Sequence, residues 1–195
     1  MKHILGKTVM AALLALAGAA HADITVGVSL SLTGPLASLG LPVKTSLDLW
    51  PERIAGEKVK LLVLDDASDT TNAVANARKL ITENKVDVLL GSPPTPNSLA
   101  MIDIVAESQT PMLSLAASSR VIEPQDTKRR WVFKTPQNDI MMALAIAEHM
   151  ANAGVKSVAF IGFADAYGEG WLQEFNKAAG LKKLNVVATE RYARN

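Results

Sequence analysis

The sequence predicts an α/β fold, a three-layer α/β/α arrangement with a parallel sheet between helices. Three observations lead to it. Apolar runs of strand length recur along the chain, segments of helical apolar spacing separate most of them, and the runs are near-continuous, the pattern of strands buried on both faces. With 195 residues, 49% of them hydrophobic, the chain has ample material for a core.

The strand candidates are 24–32 (ITVGVSLSL), 59–64 (VKLLVL), 86–90 (VDVLL), 111–116 (PMLSLA), 155–163 (VKSVAFIGF) and 185–189 (NVVAT). Between the second and third, Val74, Ala77, Leu80 and Ile81 share one helical face behind the capping run Asp69-Thr70-Thr71. Ile140, Ala143, Leu144, Ala147, Met150 and Ala151 repeat that spacing, and Gly154 closes the helix as its C-terminal cap. Met141, Met142 and Met150 are read as packing residues, not as a soft-metal box. The stretch 36–55 is interrupted by Pro42 and Pro51, and Trp50-Pro51 should end any helix there. At 128–139 (KRRWVFKTPQND) a basic loop, one short strand-like piece and Pro136 separate two βα runs, which marks a crossover between lobes.

The first 22 residues read as a secretory signal. Lys2 and Lys7 form a basic start, Val9–Ala20 an apolar segment, and Ala20-His21-Ala22 a small-residue cleavage site. The apolar segment is shorter than the roughly 20 residues that span a bilayer, so export with release is expected. The expected organisation is therefore 1–22 signal peptide, 23–136 first lobe and 137–195 the beginning of a second, incomplete lobe. Loss of Lys2 and Lys7 turns a formal charge of +1 slightly negative, which removes any electrostatic case for nucleic acid or anionic lipid. Lys128, Arg129 and Arg130 are read as a solvated loop. There is no cysteine, which excludes disulfides and thiolate chemistry. His149 is the one histidine outside the signal, on a helix, and no metal site or cofactor is expected.

The candidate site lies at 91–98 (GSPPTPNS), where a buried strand runs into three prolines before a helix. In a parallel α/β sheet, ligands bind beyond the carboxyl ends of the strands. Thr95 can cap the helix through its hydroxyl, Pro96 suits the first helical position, and the amides of Asn97 and Ser98 then point outward. With the positive end of the helix dipole, this turn can seat a carboxylate, although taken alone it reads first as a plain cap. A second turn, 114–119 (SLAASS), leaves the next strand with small residues only. Backbone groups of Ala116 and Ala117 can approach a ligand there, and Ser118 offers a hydroxyl. Hydroxyls and amides without a base suit holding a solute, not reacting with it. Ser92, Ser114, Ser118 and Ser119 lack a GxSxG elbow, and the carboxylates of Asp65 to Asp69 are read as helix caps, so an enzyme is not expected.

Six segments in order, SLTGPLASLG (31–40), LDDASDTTNAV (64–74), VDVLLGSPPT (86–95), PMLSLAAS (111–118), WVFKTPQND (131–139) and DAYGEGWLQEF (165–175), resemble the type I periplasmic binding proteins of ABC importers. The similarity is to the branched-chain amino acid (leucine/isoleucine/valine) binding family and extends over 23–195. The resemblance implies two lobes that close on a ligand by hinge motion. It places the family's carboxylate-holding hydroxyl at Thr95, its carbonyl contact to an ammonium at Ala116, the adjacent hydroxyl contact at Ser118, and an aromatic closing from the second lobe at Tyr167. Two departures stand out: Leu39 replaces a frequent aromatic, and the approach to the second strand is shortened to ERIAGEKV. They leave aromatic and other small organic acids open as ligands. The second-lobe carboxylate that neutralises an ammonium would fall beyond Asn195. The implied role is the periplasmic substrate-binding component of an ABC transporter, capturing a branched-chain amino acid or similar carboxylate-bearing solute for a membrane permease. The expected partners are that ligand and ABC permease subunits, with the chain itself a monomer. A periplasmic sensing module for a receptor or kinase is the alternative, since fold and cleft would be shared.

Overall fold

A computed structural model describes residues 23–194, so the expected signal segment lies outside the described residues. The chain runs β1 (Ile24–Leu30), α1 (Ala37–Leu47), β2 (Arg53–Ile54), β3 (Glu57–Asp65), α2 (Thr70–Arg78), β4 (Val88–Gly91), α3 (Thr95–Ser108), β5 (Met112–Ser114) and β6 (Val132–Lys134). It continues as α4 (Asp139–Asn152), β7 (Ser157–Phe163), α5 (Ala166–Leu181) and β8 (Asn185–Tyr192). One sheet has the order β2-β3-β1-β4-β5-β6, parallel except for the β2–β3 hairpin, and β7 and β8 form a second, parallel pair.

Alternation along the central strands sorts their side chains to two faces. Leu89 joins Ala73, Ala77, Leu80, Met101 and Val105 in a core under α2 and α3, whereas its neighbour Leu90 joins Val26, Val28, Leu30 and Leu47 on the α1 side. Each large aliphatic side chain buried this way contributes about 1.5–3 kcal/mol. The expectation of a sheet covered on both faces holds fully for the first face. On the second, α1 lies over β1, while Leu113 and Leu115 are only partly buried and Phe133 is 57% exposed. In the second unit Ala143 and Ala147 of α4 pack with Phe175, Ala178 and Ala179 of α5 against Val158 and Phe160 of β7.

Three local expectations need correction. The segment 36–55 contains a regular helix, α1, and Pro42 lies inside it. Proline is tolerated because the carbonyl it leaves unpaired, that of Ser38, belongs to an exposed residue in the first turn, where water replaces the lost donor. The helix ends before Trp50-Pro51, as the proline requires. Met141 and Met142 are exposed, at 62% and 42%, because the inward phase of α4 is set by Ala143 and Ala147; Met150 does pack. Of the carboxylates at 65–69, Asp69 alone caps α2, accepting from Asn72 N at 2.9 Å. Asp65 instead ties down the turn after β1, accepting from the Thr33 hydroxyl at 2.6 Å and from the amides of Leu32 and Ala67 at 2.8 Å each. Burial raises its pKa, but the bonds from Thr33, Ala67 and Leu32 outweigh that and hold the carboxyl below its ordinary value.

Candidate ligand-binding site

The sheet order reverses direction between β1 and β4, since the chain moves from β1 to β3 on one side and then crosses to β4 on the other. Such a switch point opens a crevice at the carboxyl ends of the two strands. A cavity of about 410 Å³ lies there, within the range of about 300–1,000 Å³ common for small-molecule sites. Leu36, Ser38 and Leu39 reach it from the turn after β1 and the start of α1, and Pro93 and Thr95 from the turn after β4. Leu115 and Ala117 close the side beyond β5, and the second unit contributes Phe163, Tyr167 and Arg194. Of the residues anticipated for ligand contact, the structure brings Thr95, Ala117 and Tyr167 together around this one cavity. Ala116 and Ser118 are fully buried and do not line it.

Thr95 departs from its expected local role in an informative way. The capping position belongs to Pro94, and α3 begins at Thr95 itself, with Pro96 second in the helix. The hydroxyl is therefore not used as a cap. Thr95 is 2% exposed, and its Oγ1 has no hydrogen-bond partner within the protein, although the residue lines the cavity. A buried hydroxyl left so is costly, on the order of 1–3 kcal/mol, and points to a partner that comes from outside. The Ser98 amide is not free as expected, because it donates to Pro94 O at 3.1 Å. Pro94 and Pro96 have no N–H, so the open first turn is left with the amides of Thr95 and Asn97 beside the Thr95 hydroxyl.

A buried polar chain fixes this turn. Asp66, fully buried, accepts from Ser92 Oγ at 2.6 Å, Ser31 Oγ at 2.7 Å, Ser68 N at 3.0 Å and Ser29 Oγ at 3.3 Å, which links the ends of β1, β3 and β4. Ser98 Oγ donates to Ser92 O at 2.7 Å and lies 2.7 Å from Ser114 Oγ, which in turn accepts from Ala116 N at 3.1 Å. The two turns singled out in the sequence are thus one hydrogen-bonded structure. Lys134 anchors the second of them, donating from Nζ to the carbonyls of Ala117 and Pro136 at 2.8 Å and Gln137 at 2.9 Å. Burial pulls its pKa down, with Asp139 and Glu123 opposing. Asp139, at the start of α4, is buried with Oδ2 unpartnered; burial raises its pKa, and nearby Lys134 draws it partly back.

The second unit presents its face through a close approach at Gly168, where a Cβ would lie 2.0 Å from the Phe163 carbonyl oxygen. Only glycine lets the first turn of α5 press onto the end of β7 and carry Tyr167 into the cavity. Asp165 caps that turn, Oδ1 accepting from the Tyr167 and Gly168 amides at 2.9 and 3.0 Å. Burial pushes the Tyr167 phenol pKa up, so it is a neutral hydroxyl there. Arg194 donates from Nε to Asp165 Oδ2 at 2.5 Å, and its guanidinium carbon lies 3.6 Å from the Phe163 ring centre. Phe163 and Arg194 were missed by sequence reasoning. Phe163 was findable as the last residue of a predicted strand, where such sheets carry their sites; Arg194 follows β8 and has no local signal.

The periplasmic binding protein family model matches residues 23–195. The chain belongs to that family. It is a family of binding proteins, not of enzymes. The chain is 33% identical over 190 residues to the Leu/Ile/Val-binding protein BraC3 of Rhizobium johnstonii, covering 93% of this chain and 50% of that one. An extracellular ligand-binding receptor from Rhodopseudomonas palustris HaA2 superposes with a TM-score of 0.86 at 46% identity, over 89% of this chain and 48% of its own. An ABC-transporter solute-binding protein from R. palustris, in complex with 4-hydroxybenzoate, superposes with a TM-score of 0.79 at 26% identity, over 88% and 47%. The chain thus spans about half the length of the relatives it matches. Among the described residues of this periplasmic binding protein no three His, Cys, Asp or Glu side chains converge as a metal site, and no helix is long and apolar enough to cross a membrane.

Proposed function

We propose that this chain carries the solute-gripping part of a periplasmic substrate-binding protein that captures a small carboxylate-bearing solute and delivers it to an ABC permease. The observation that carries this reading is the Thr95 hydroxyl, buried and unpartnered on a residue that lines a cavity at the amino end of α3. A carboxylate seated there would accept from the hydroxyl and the free amides of the first turn, with the helix dipole adding to the attraction. The division into a first lobe (23–136) and the start of a second (137–195) belongs to the same reading. The crossover held by Lys134 is then the hinge side, and Tyr167 with Phe163 forms the face that closes over the solute. A periplasmic location is what the family and the amino-terminal segment support.

The test is Thr95→Val, which keeps shape and removes the hydroxyl. Hydrogen bonds to a charged group contribute about 1.5–3 kcal/mol, so calorimetry should register roughly ten- to a hundredfold weaker carboxylate binding. Unchanged affinity would remove Thr95, and with it the carboxylate seat, from the site.

A further inference from the structure

Among the described residues that line the cavity there is one cation, Arg194, and no acidic side chain. The acid beside it, Asp165, is fully engaged: Oδ1 receives two backbone amides and Oδ2 receives Arg194 Nε. The guanidinium is held flat by the same contacts, 3.6 Å from the Phe163 ring centre and 5.6 Å from that of Tyr167. Its Nε is committed, and its terminal nitrogens make no hydrogen bond with another described residue. A planar, pre-positioned fork of this kind suits a carboxylate.

The turn beyond β5 also carries a cation of its own. The turn at 116–118 already carries the Lys134 ammonium, bonded to Ala117 O at 2.8 Å, and Ala116 is fully buried. A ligand ammonium would meet Arg194 on the lining with Lys134 behind the turn, and no acidic side chain among the described residues that line the cavity, which is unfavourable in a partly desolvated pocket.

We infer that Arg194 is a specificity-determining residue of this pocket, pairing with an anionic group of the ligand and selecting organic acids without an ammonium over zwitterionic amino acids. The inference rests on the carboxylate-capture reading above and adds the ligand class to it. Discrimination of this sort comes as much from the repelled group as from the attracted one.

A matched pair of ligands tests it: L-leucine and its keto acid α-ketoisocaproate, which share a carbon skeleton and differ in the ammonium, with benzoate as an aromatic acid. Calorimetry on the full chain is expected to show the keto acid binding at least about tenfold tighter than leucine. Arg194→Met should weaken keto-acid and benzoate binding about ten- to a hundredfold, and Arg194→Lys should restore part of the loss. An unchanged urea midpoint for each variant confirms that folding is not the cause. Leucine binding as tightly as the keto acid, or acid binding that needs Thr95 but survives Arg194→Met, overturns this inference and leaves the carboxylate seat standing. Binding that is absent for all three probes, or insensitive to Thr95→Val, overturns both.

Discussion

Replacing Asp66 by alanine removes one carboxyl group that four donors share in the interior. Two hydroxyls, of Ser92 and Ser31, donate to it at 2.6 and 2.7 Å, and the Ser68 amide at 3.0 Å; the Ser29 contact, at 3.3 Å, is weak, and Ser29 also meets Asn76. Ser29, Ser31 and Ser92 are fully buried, so water does not replace the lost acceptor. At about 1–3 kcal/mol for each stranded group, three strong donors set a range of about 3–9 kcal/mol. Hydroxyls can rotate toward other acceptors, which brings the expectation to the lower part, about 3–5 kcal/mol. Against a typical total of about 5–15 kcal/mol, that is a large share. Asp66→Asn keeps the shape and one acceptor oxygen and should lose about half as much. Urea unfolding followed by circular dichroism measures this as a shift in midpoint at constant slope. The loss should also couple to Ser92: in Asp66→Ala/Ser92→Ala the second substitution costs less than it does alone. A loss below about 1 kcal/mol in Asp66→Ala, with unchanged slope, would refute the reasoning that this carboxyl holds the strand ends together.

Gly168→Ala places a methyl group 2.0 Å from the Phe163 carbonyl oxygen, so α5 must withdraw from β7; a loss of about 1–3 kcal/mol or more is expected in urea unfolding, and a neutral result would deny the close approach. For Asp139, burial raises the folded pKa above the ordinary value of about 3.9, with Lys134 countering only in part. The folded state then binds the proton more tightly than the unfolded one. The stability this contributes is fully present below the unfolded pKa and is lost as pH rises through the folded pKa. Asp139→Asn should accordingly gain on the parent as pH rises above about 4 in paired urea titrations, and a difference that stays flat or falls with rising pH would contradict the assignment.

How much of this was legible in the residues follows from the range of the forces involved. Apolar runs and helical spacing record which face of each segment is buried. For that reason the strands near 24, 59, 88, 112, 157 and 185 and the helices at 70 and 139 were placed from sequence to within a few residues. The dipeptide signals worked where their consequence is local, as at Gly154, which adopts φ +80°, and at Asp69. They failed at Pro42, because whether a missing donor matters depends on whether its carbonyl sees water. They failed again at Thr95, because Pro94 takes the cap and releases the hydroxyl.

The turns at 95 and 117 announced themselves through hydroxyls and small residues at two predicted strand ends. That they share a cavity with Tyr167 depends on strand order, and strand order is decided by which sheet pairing buries the most apolar surface across the whole chain. Arg194 illustrates the limit. In sequence it is one arginine after a strand, 99 positions from Thr95. Only the parallel pairing of β8 with β7, which ends with Tyr192 beside Phe163, brings it over that ring and into the cavity. Periodicity reports what a residue turns toward the interior. It carries no record of which distant charge the completed fold will set opposite it, because that neighbour is chosen by long-range packing and not by the chain around it.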